Sequence, residues 1–353
     1  MKVDAQKLKI ALNAVKPAAA SKSVIEQMTH YIFTEDAVTT YNDQICTSYP
    51  IETGLKCTVK ADSLHRFANR LKIDTIKMTQ KDGLLICKGH GVEAEIPMLV
   101  EDEIYNLVSS VQKGVKDQKW LKIPEDMIEA MGFCMFAASK DATKAAAICV
   151  GIKGKDVMAA DGVRFSWCQL KETTRKNFMI NAESVAQLVR FGGFSHFSVS
   201  DAWAHFKTRD KAVFHIRRNK GEFPIAKGKK LFEEFIGVQV KLSPEDRESI
   251  NEAVTTASVL SEETPIDKTV EVLIEKNKII CKGESEHGKV TRHKKIKYAG
   301  DELSFSINPV FFTQILGRDE PSKLFKDDTK IELQSPGFRH IIALKRIALK
   351  RQL

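Results

Sequence analysis

Apolar residues recur along this chain in two rhythms that follow one another in a fixed order. Within 57–71, Leu64, Phe67, Ala68 and Leu71 fall at i, i+3, i+4 and i+7, the spacing of a helix with one buried face. The run 75–87 then alternates apolar and polar residues, as a half-buried hairpin does. The same order returns at 178–190, where Val185, Leu188 and Val189 keep helical spacing, followed by strands over 196–206. It returns again at 305–316, followed by 330–342. Each stretch therefore predicts a short strand, a helix and a hairpin.

Cap chemistry sharpens these predictions. Asn181 and Asn308 are able to accept hydrogen bonds from the free N–H groups of a first helical turn, and Pro309 suits a first position because it has no N–H to leave unpaired. A second helix type opens each third of the chain, at 4–15, 124–131 and 243–254, each after a short apolar strand. Ser243 with Asp246 has the spacing of a capping box with the shorter acid. Turn signals such as Asp161-Gly162 and Asn42-Asp43 divide the remaining residues into short strands. Self-similarity at this period indicates whole domains, since it is too long for a solenoid. The expected architecture is α+β, with domains at 1–117, 118–235 and 236–353, each carrying two helices packed on curved antiparallel sheets.

Composition narrows the function. A chain of 353 residues exceeds what one hydrophobic core usually supports, in keeping with several domains. No stretch approaches the roughly 20 apolar residues of a membrane span. The charged opening residues do not resemble a signal peptide, so a cytoplasmic protein is expected. The seven cysteines are scattered and form no Cys-x-x-Cys, which predicts reduced core residues rather than a disulfide framework or a zinc site. The net charge of +9 is uneven: basic against acidic residues number 15 to 15, 20 to 13 and 20 to 18 in successive thirds. A basic protein with no cofactor motif favours a polyanionic partner held through salt-dependent phosphate contacts.

Enzymatic readings fare poorly. Metal-dependent nuclease chemistry needs clustered carboxylates, whereas Asp36, Glu245 with Asp246, and Asp327 with Asp328 sit at predicted turns and helix starts. The segment 221–229 has two glycines, but Lys230 stands where a phosphate loop needs a Ser or Thr for magnesium. His287 and His293 sit in a charged hairpin, and Asp161 belongs to a tight turn. No catalytic residue, metal or cofactor is called for.

Three short motifs occur in order across this repeat: Val157-Met-Ala-Ala-Asp-Gly-Val-Arg-Phe165, Gly221-Glu-Phe-Pro224 and Ala257-Ser-Val-Leu-Ser261. Together they resemble the bacterial-type DNA polymerase beta sliding clamp over essentially the whole chain. The resemblance implies a head-to-tail homodimer whose six domains close a ring around duplex DNA and tether the replicative polymerase. Twelve helices about 9 Å apart would make a circle roughly 35 Å across between axes, leaving a hole of about 25 Å for the duplex. It implies sequence-independent DNA contact through Lys7, Lys9, Lys16, Lys22, Arg66, Arg70, Lys140, Lys144 and Arg190. It also implies a cleft for short linear peptides of polymerase and clamp loader, at Gly162, Val163, Arg164, Phe165, Pro224, Ile341, Ile342, Ala343, Leu344, Lys345 and Arg346. For the subunit interface it implies Ile104 and Leu107 meeting Val259 and Leu260. Val163 and Leu344 depart from the family's histidine and proline, and 348–353 extend past its usual end, a divergence compatible with a viral replisome. A trimeric clamp with two domains per chain is disfavoured by the third repeat. A monomeric DNA-binding scaffold or DNA-processing enzyme reusing the fold is the alternative.

Overall fold

The computed structural model describes residues 1–99, 103–116, 118–221, 223–233, 237–261, 268–318 and 321–345. Its helices are α1 (Ala5–Val15), α2 (Ala61–Arg70), α3 (Glu103–Lys116), α4 (Met127–Cys134), α5 (Ala182–Phe191), α6 (Ile225–Glu233), α7 (Pro244–Ala257) and α8 (Pro309–Arg318). The chain packs as two compact units, Met1–Ile128 with Thr174–Gly221, and Glu129–Thr173 with Glu222–Leu353. Residues of the middle third thus enter both units.

The expected caps form, and Asp4 adds another: Asp4 accepts from the Lys7 N–H at 2.8 Å and Asn181 from the Glu183 N–H at 2.9 Å. Asn308 accepts from Val310 at 3.0 Å and Phe311 at 3.3 Å, and both halves of the Ser243–Asp246 box are present. Each cap removes an orphan donor, worth about 1 kcal/mol. Helix α4 starts at Met127, because the Met127 N–H first closes a turn on the Pro124 carbonyl.

The first unit is built on a twelve-stranded antiparallel sheet. Its strand order is Lys2–Asp4, Thr75–Lys81, Leu84–Gly89, Val92–Leu99, Cys57–Lys60, His30–Thr34, Ala37–Tyr41, Ile45–Pro50, Val213–Arg217, Trp203–Thr208, Phe194–Val199 and Leu121–Lys122. The seam between the first and middle thirds is ordinary antiparallel pairing, with Val213 opposite Ser48 and Ile216 opposite Ile45. Leu8, Leu12 and Val15 of α1 and Leu64 and Ala68 of α2 are buried against Tyr31, Phe33 and Val59. Under α5, Phe191 lies 4.6 Å from Phe214. Val185 and Leu188 point inward, but Val189, expected on the same face, is exposed.

In the second unit the strand Arg164–Gln169 pairs with Phe338–Ala343, Arg164 opposite Ile342 and Cys168 opposite Phe338. A separate four-stranded sheet runs Gly288–Lys295, Lys278–Ser285, Val270–Glu275 and Leu303–Ile307. Ile250, Val254 and Ala257 of α7 and Phe312 and Ile315 of α8 bury against Val272, Ile279, Phe305 and Leu333. A side chain of this size is worth about 1.5–3 kcal/mol when fully buried.

Eight helices among the described residues exceed the six that two per third would give. The additions, α3 and α6, lie on the sheet faces left open by the others. Ile32 packs with Ile104, Val108 and Val111 of α3, while its neighbours Tyr31 and Phe33 pack with α1 and α2, since alternate residues of a strand face opposite sides. Ile225 and Phe232 of α6 close over Met158, Phe165 and Ile341. Gly228 makes this possible, because a Cβ there would lie 1.9 Å from the Phe165 ring. All seven cysteines are free and buried, as expected, and burial pushes the Cys46 thiol up to about 12.

Candidate nucleic-acid interface and partner cleft

Helices α1 and α2 lie side by side, joined by a hydrogen bond of 2.8 Å between His65 Nε2 and Asn13 Oδ1. Since Leu8, Leu12, Leu64 and Ala68 face the sheet, the opposite faces are solvent-exposed. There Arg66 and Arg70 of α2 and Lys7 of α1 are exposed and Lys9 half-exposed. Lys16, just past α1, is bound to Asp62 at 2.7 Å, and the Lys16 ammonium holds the Asp62 carboxyl below its ordinary range. Lys22 is exposed in the following loop, beside fully exposed Val24. Arg190 is exposed in the last turn of α5.

In the second unit the expected cations lie on a loop rather than a helix. Lys140 and Lys144 are exposed, and Lys144 stands 3.9 Å from Asp141. The exposed ridge of α7 carries Glu245, Glu248 and Glu252. Glu252 is engaged by Arg292 at 2.6 Å and by Lys294 from the strand Gly288–Lys295. On α8 the exposed residues are Val310, Gln314, Gly317 and Arg318, and Arg318 donates to the Gly132 carbonyl at 2.7 Å.

The residues assigned to a peptide cleft divide by exposure. Gly162, at φ +96°, and Val163, 41% exposed, form a turn in which Asp161 Oδ1 accepts from the Val163 and Arg164 N–H groups at 2.9 and 3.0 Å. Pro224 is exposed, and Ala343, Leu344 and Lys345 are half-buried. Arg164, Phe165, Ile341 and Ile342 are buried.

The Arg164 guanidinium is held inside the fold. It bonds Asp161 at 2.9 Å and Gln314 at 3.0 Å, and its guanidinium lies 4.0 Å from the Phe311 ring centroid and 5.5 Å from that of Phe136. Arg318 continues the column, 5.9 Å from both Phe136 and Phe133, and Phe133 stacks on Phe338 at 3.6 Å. This ladder ties α8 and the strand Phe338–Ala343 to residues of the middle third. Phe165 likewise packs inward, edge-on to Phe223 and Phe232. Arg346 lies outside the described residues.

Of the interface residues, Ile104 is only 3% exposed and packs into the core of its own unit, because α3 turns it toward the sheet, whereas Leu107 is 44% exposed. Val259 is 71% exposed and Leu260 half-buried beside Gly288. Two of the strand edges left open among the described residues differ in charge. Gly288–Lys295 ends its sheet, with Lys289, His293 and Lys295 exposed. Val92–Leu99 pairs on one side along its length but on the other only at Met98 and Leu99, and Glu93 and Glu95 are exposed.

Among the described residues no group of three or more His, Cys, Asp or Glu side chains is placed to hold a metal ion, and no helix is long and apolar enough to cross a membrane. No protein-family model matches the chain, and no curated protein matches it. Solved structures do. The DNA polymerase III beta subunit of Pseudomonas aeruginosa is similar with a TM-score of 0.81 at 12% identity, covering 98% of this chain and 100% of that one. The DNA polymerase sliding clamp of Bacillus subtilis gives 0.81 at 16%, covering 98% of each chain. The DNA polymerase III beta chain of Streptococcus pneumoniae gives 0.82 at 16%, covering 98% and 99%. Over 98% of its length, this chain has the α+β fold of the bacterial sliding clamps.

Proposed function

We propose that the protein is a DNA sliding clamp, which encircles duplex DNA as a closed ring and tethers a polymerase without chemistry of its own. The observation that carries this reading is the fold likeness over 98% of the chain to beta subunits of bacterial DNA polymerase III. In this reading 1–117, 118–235 and 236–353 are three clamp domains, and two chains join head to tail. Leu107 would meet Val259 and Leu260 across the joint, with Ile104 supporting from below. Those two strand edges suit the same joint, since an exposed edge is a template for another strand. One bears Glu93 and Glu95 and the other Lys289 and Lys295, so they attract when paired antiparallel.

Duplex DNA would be held loosely by Lys7, Lys9, Lys16, Lys22, Arg66, Arg70, Lys140, Lys144 and Arg190, without base readout, so that the ring slides. Polymerase and loader peptides would dock on Gly162, Val163, Pro224, Ala343, Leu344, Lys345 and Arg346, over a floor of Phe165, Ile341 and Ile342. Arg164 would stiffen that floor. Light scattering over a range of concentrations tests the assembly: a mass of twice the 39.6 kDa chain agrees with a two-chain ring. One-chain mass throughout would favour a monomeric scaffold that reuses the fold.

A further inference from the structure

We propose that α6 is a built-in occupant of the partner cleft, and that a partner peptide binds by taking its place on Phe165 and Ile341. This rests on the sliding-clamp reading of that cleft and adds how access to it is controlled and what kind of peptide it admits. Phe165 and Ile341 stand opposite each other on paired strands and face the same side of their sheet, and that side is covered by Ile225 and Phe232 of α6. The Phe165 ring meets the Phe232 ring edge-on at 5.7 Å, and Phe232 also lies 5.4 Å from Trp167. Phe165 and Ile341 are buried as a result, so no peptide reaches them while α6 stays down.

The hold on α6 is of a kind that can be exchanged. The helix has nine residues, fewer than the roughly 12–15 an isolated helix needs in water, and a glycine in its middle weakens it further. Its helical form therefore depends on the floor beneath, which it touches through one narrow buried stripe, Ile225, Gly228 and Phe232. The partly exposed pair of Lys229 with Asp156, at 3.2 Å, adds little. At the C-terminal end, Lys330 donates to the Leu231 carbonyl at 3.0 Å and Arg339 to the Phe232 carbonyl at 3.1 Å. Both donors belong to the sheet, and Arg339 is anchored there by the buried Glu332 at 2.5 and 3.0 Å, so they stay in place for another main chain when α6 leaves. The partner that fits is defined by what α6 supplies: an aliphatic residue, an aromatic one about two helical turns later, and then a main-chain carbonyl or a terminal carboxylate for Arg339 and Lys330. Being tethered, α6 competes with any free peptide at an effective concentration on the order of millimolar.

The test uses a fluorescein-labelled peptide of residues 223–233 of this chain as the probe and follows its anisotropy on the full-length protein, with thermal melting to confirm that each variant folds. Two variants loosen α6 in different ways. Phe232→Ala removes its aromatic anchor. Gly228→Ala favours the helix itself but lifts it from the floor, because the new Cβ would lie 1.9 Å from the Phe165 ring. The parent is expected to bind the probe weakly, and both variants to bind it about ten-fold tighter or more, since apparent affinity rises with the fraction of open cleft. A probe that itself carries Phe232→Ala should lose this gain. The inference is overturned if the loosened chains bind the probe no tighter than the parent, if the altered probe binds as well as the original, or if no chain binds at all. Ring closure plays no part in this binding, so the sliding-clamp reading stands or falls separately, on the solution mass.

Discussion

The guanidinium of Arg164 lies 4.0 Å from the ring centroid of Phe311, pressed between that ring and Phe136 while Asp161 and Gln314 take its N–H groups. Cation, carboxylate and aromatic faces here satisfy one another out of water. Arg164→Ala leaves Asp161 uncompensated and opens the ladder, and should cost about 3 kcal/mol. Arg164→Lys should recover only part of this, since an ammonium cannot stack flat while bonding two partners. Urea unfolding of the two variants checks the order. Equal stability of Arg164→Ala and the parent would contradict the role assigned to the ladder.

His205 and His215 face each other across paired strands, with their Nδ1 atoms 2.7 Å apart and His205 Nε2 bonded to Ser200 at 2.9 Å. One Nδ1 donates and the other accepts, an arrangement that two neutral rings satisfy. Burial drives His205 down to about 4 and His215, with the nearby His205 adding to it, to about 3. Both values lie below the ordinary 6.5, so the unfolded chain takes up protons first as pH falls. Stability is full above about pH 6.5 and declines toward pH 4, by roughly 1.4 kcal/mol for each unit of difference. Urea unfolding at pH 7 and pH 4.5 should show the loss, and His215→Gln should flatten the dependence.

Gly283 and Gly317 should respond to alanine in opposite directions. A Cβ on Gly283 would sit 1.8 Å from the backbone oxygen of Ala257, at the end of α7, and backbone has nowhere to move. Gly283→Ala should therefore cost about 2 kcal/mol or more. Gly317, in the last turn of α8, has nothing within 4 Å of that position, so Gly317→Ala should stabilise by up to about 1 kcal/mol. Melting temperatures decide both signs.

Val259, 71% exposed, can be changed at little cost to the single chain. Val259→Glu should leave the melting of the chain near that of the parent at high dilution yet reduce the solution mass from two chains to one. Leu107→Glu should act alike. Loss of assembly from Ile104→Ala would be uninformative beside these, because Ile104 serves its own core.

Much of the fold was legible where local chemistry and periodicity agree. Asn308 before Pro309, and Ser243 with Asp246, mark the starts of α8 and α7 to the residue. Helix α3 lies outside the three-fold repeat, and only the helical spacing of Ile104, Val108 and Val111 marks it. Helix α6 is masked in the sequence by a glycine and lysines that resemble a phosphate loop, while Gly228 is there to admit Phe165. Charge and exposure on α1 and α2 followed from the pattern, since the cations alternate with Leu8, Leu12, Leu64 and Ala68. The burial of Arg164 did not, because its partners Gln314 and Phe311 lie far along the chain and only tertiary packing brings them to it.

The central claim is topological, and the most direct measurement is retention on DNA that has no ends. The chains are diluted to separate them and then concentrated in the presence of a nicked circular plasmid, so that rings close around it, and unbound protein is removed at high salt. The account predicts protein that stays with the circle through the salt wash and leaves when one restriction cut linearises it. Protein washed from the circle and from linear DNA alike, or held by both alike, would contradict it.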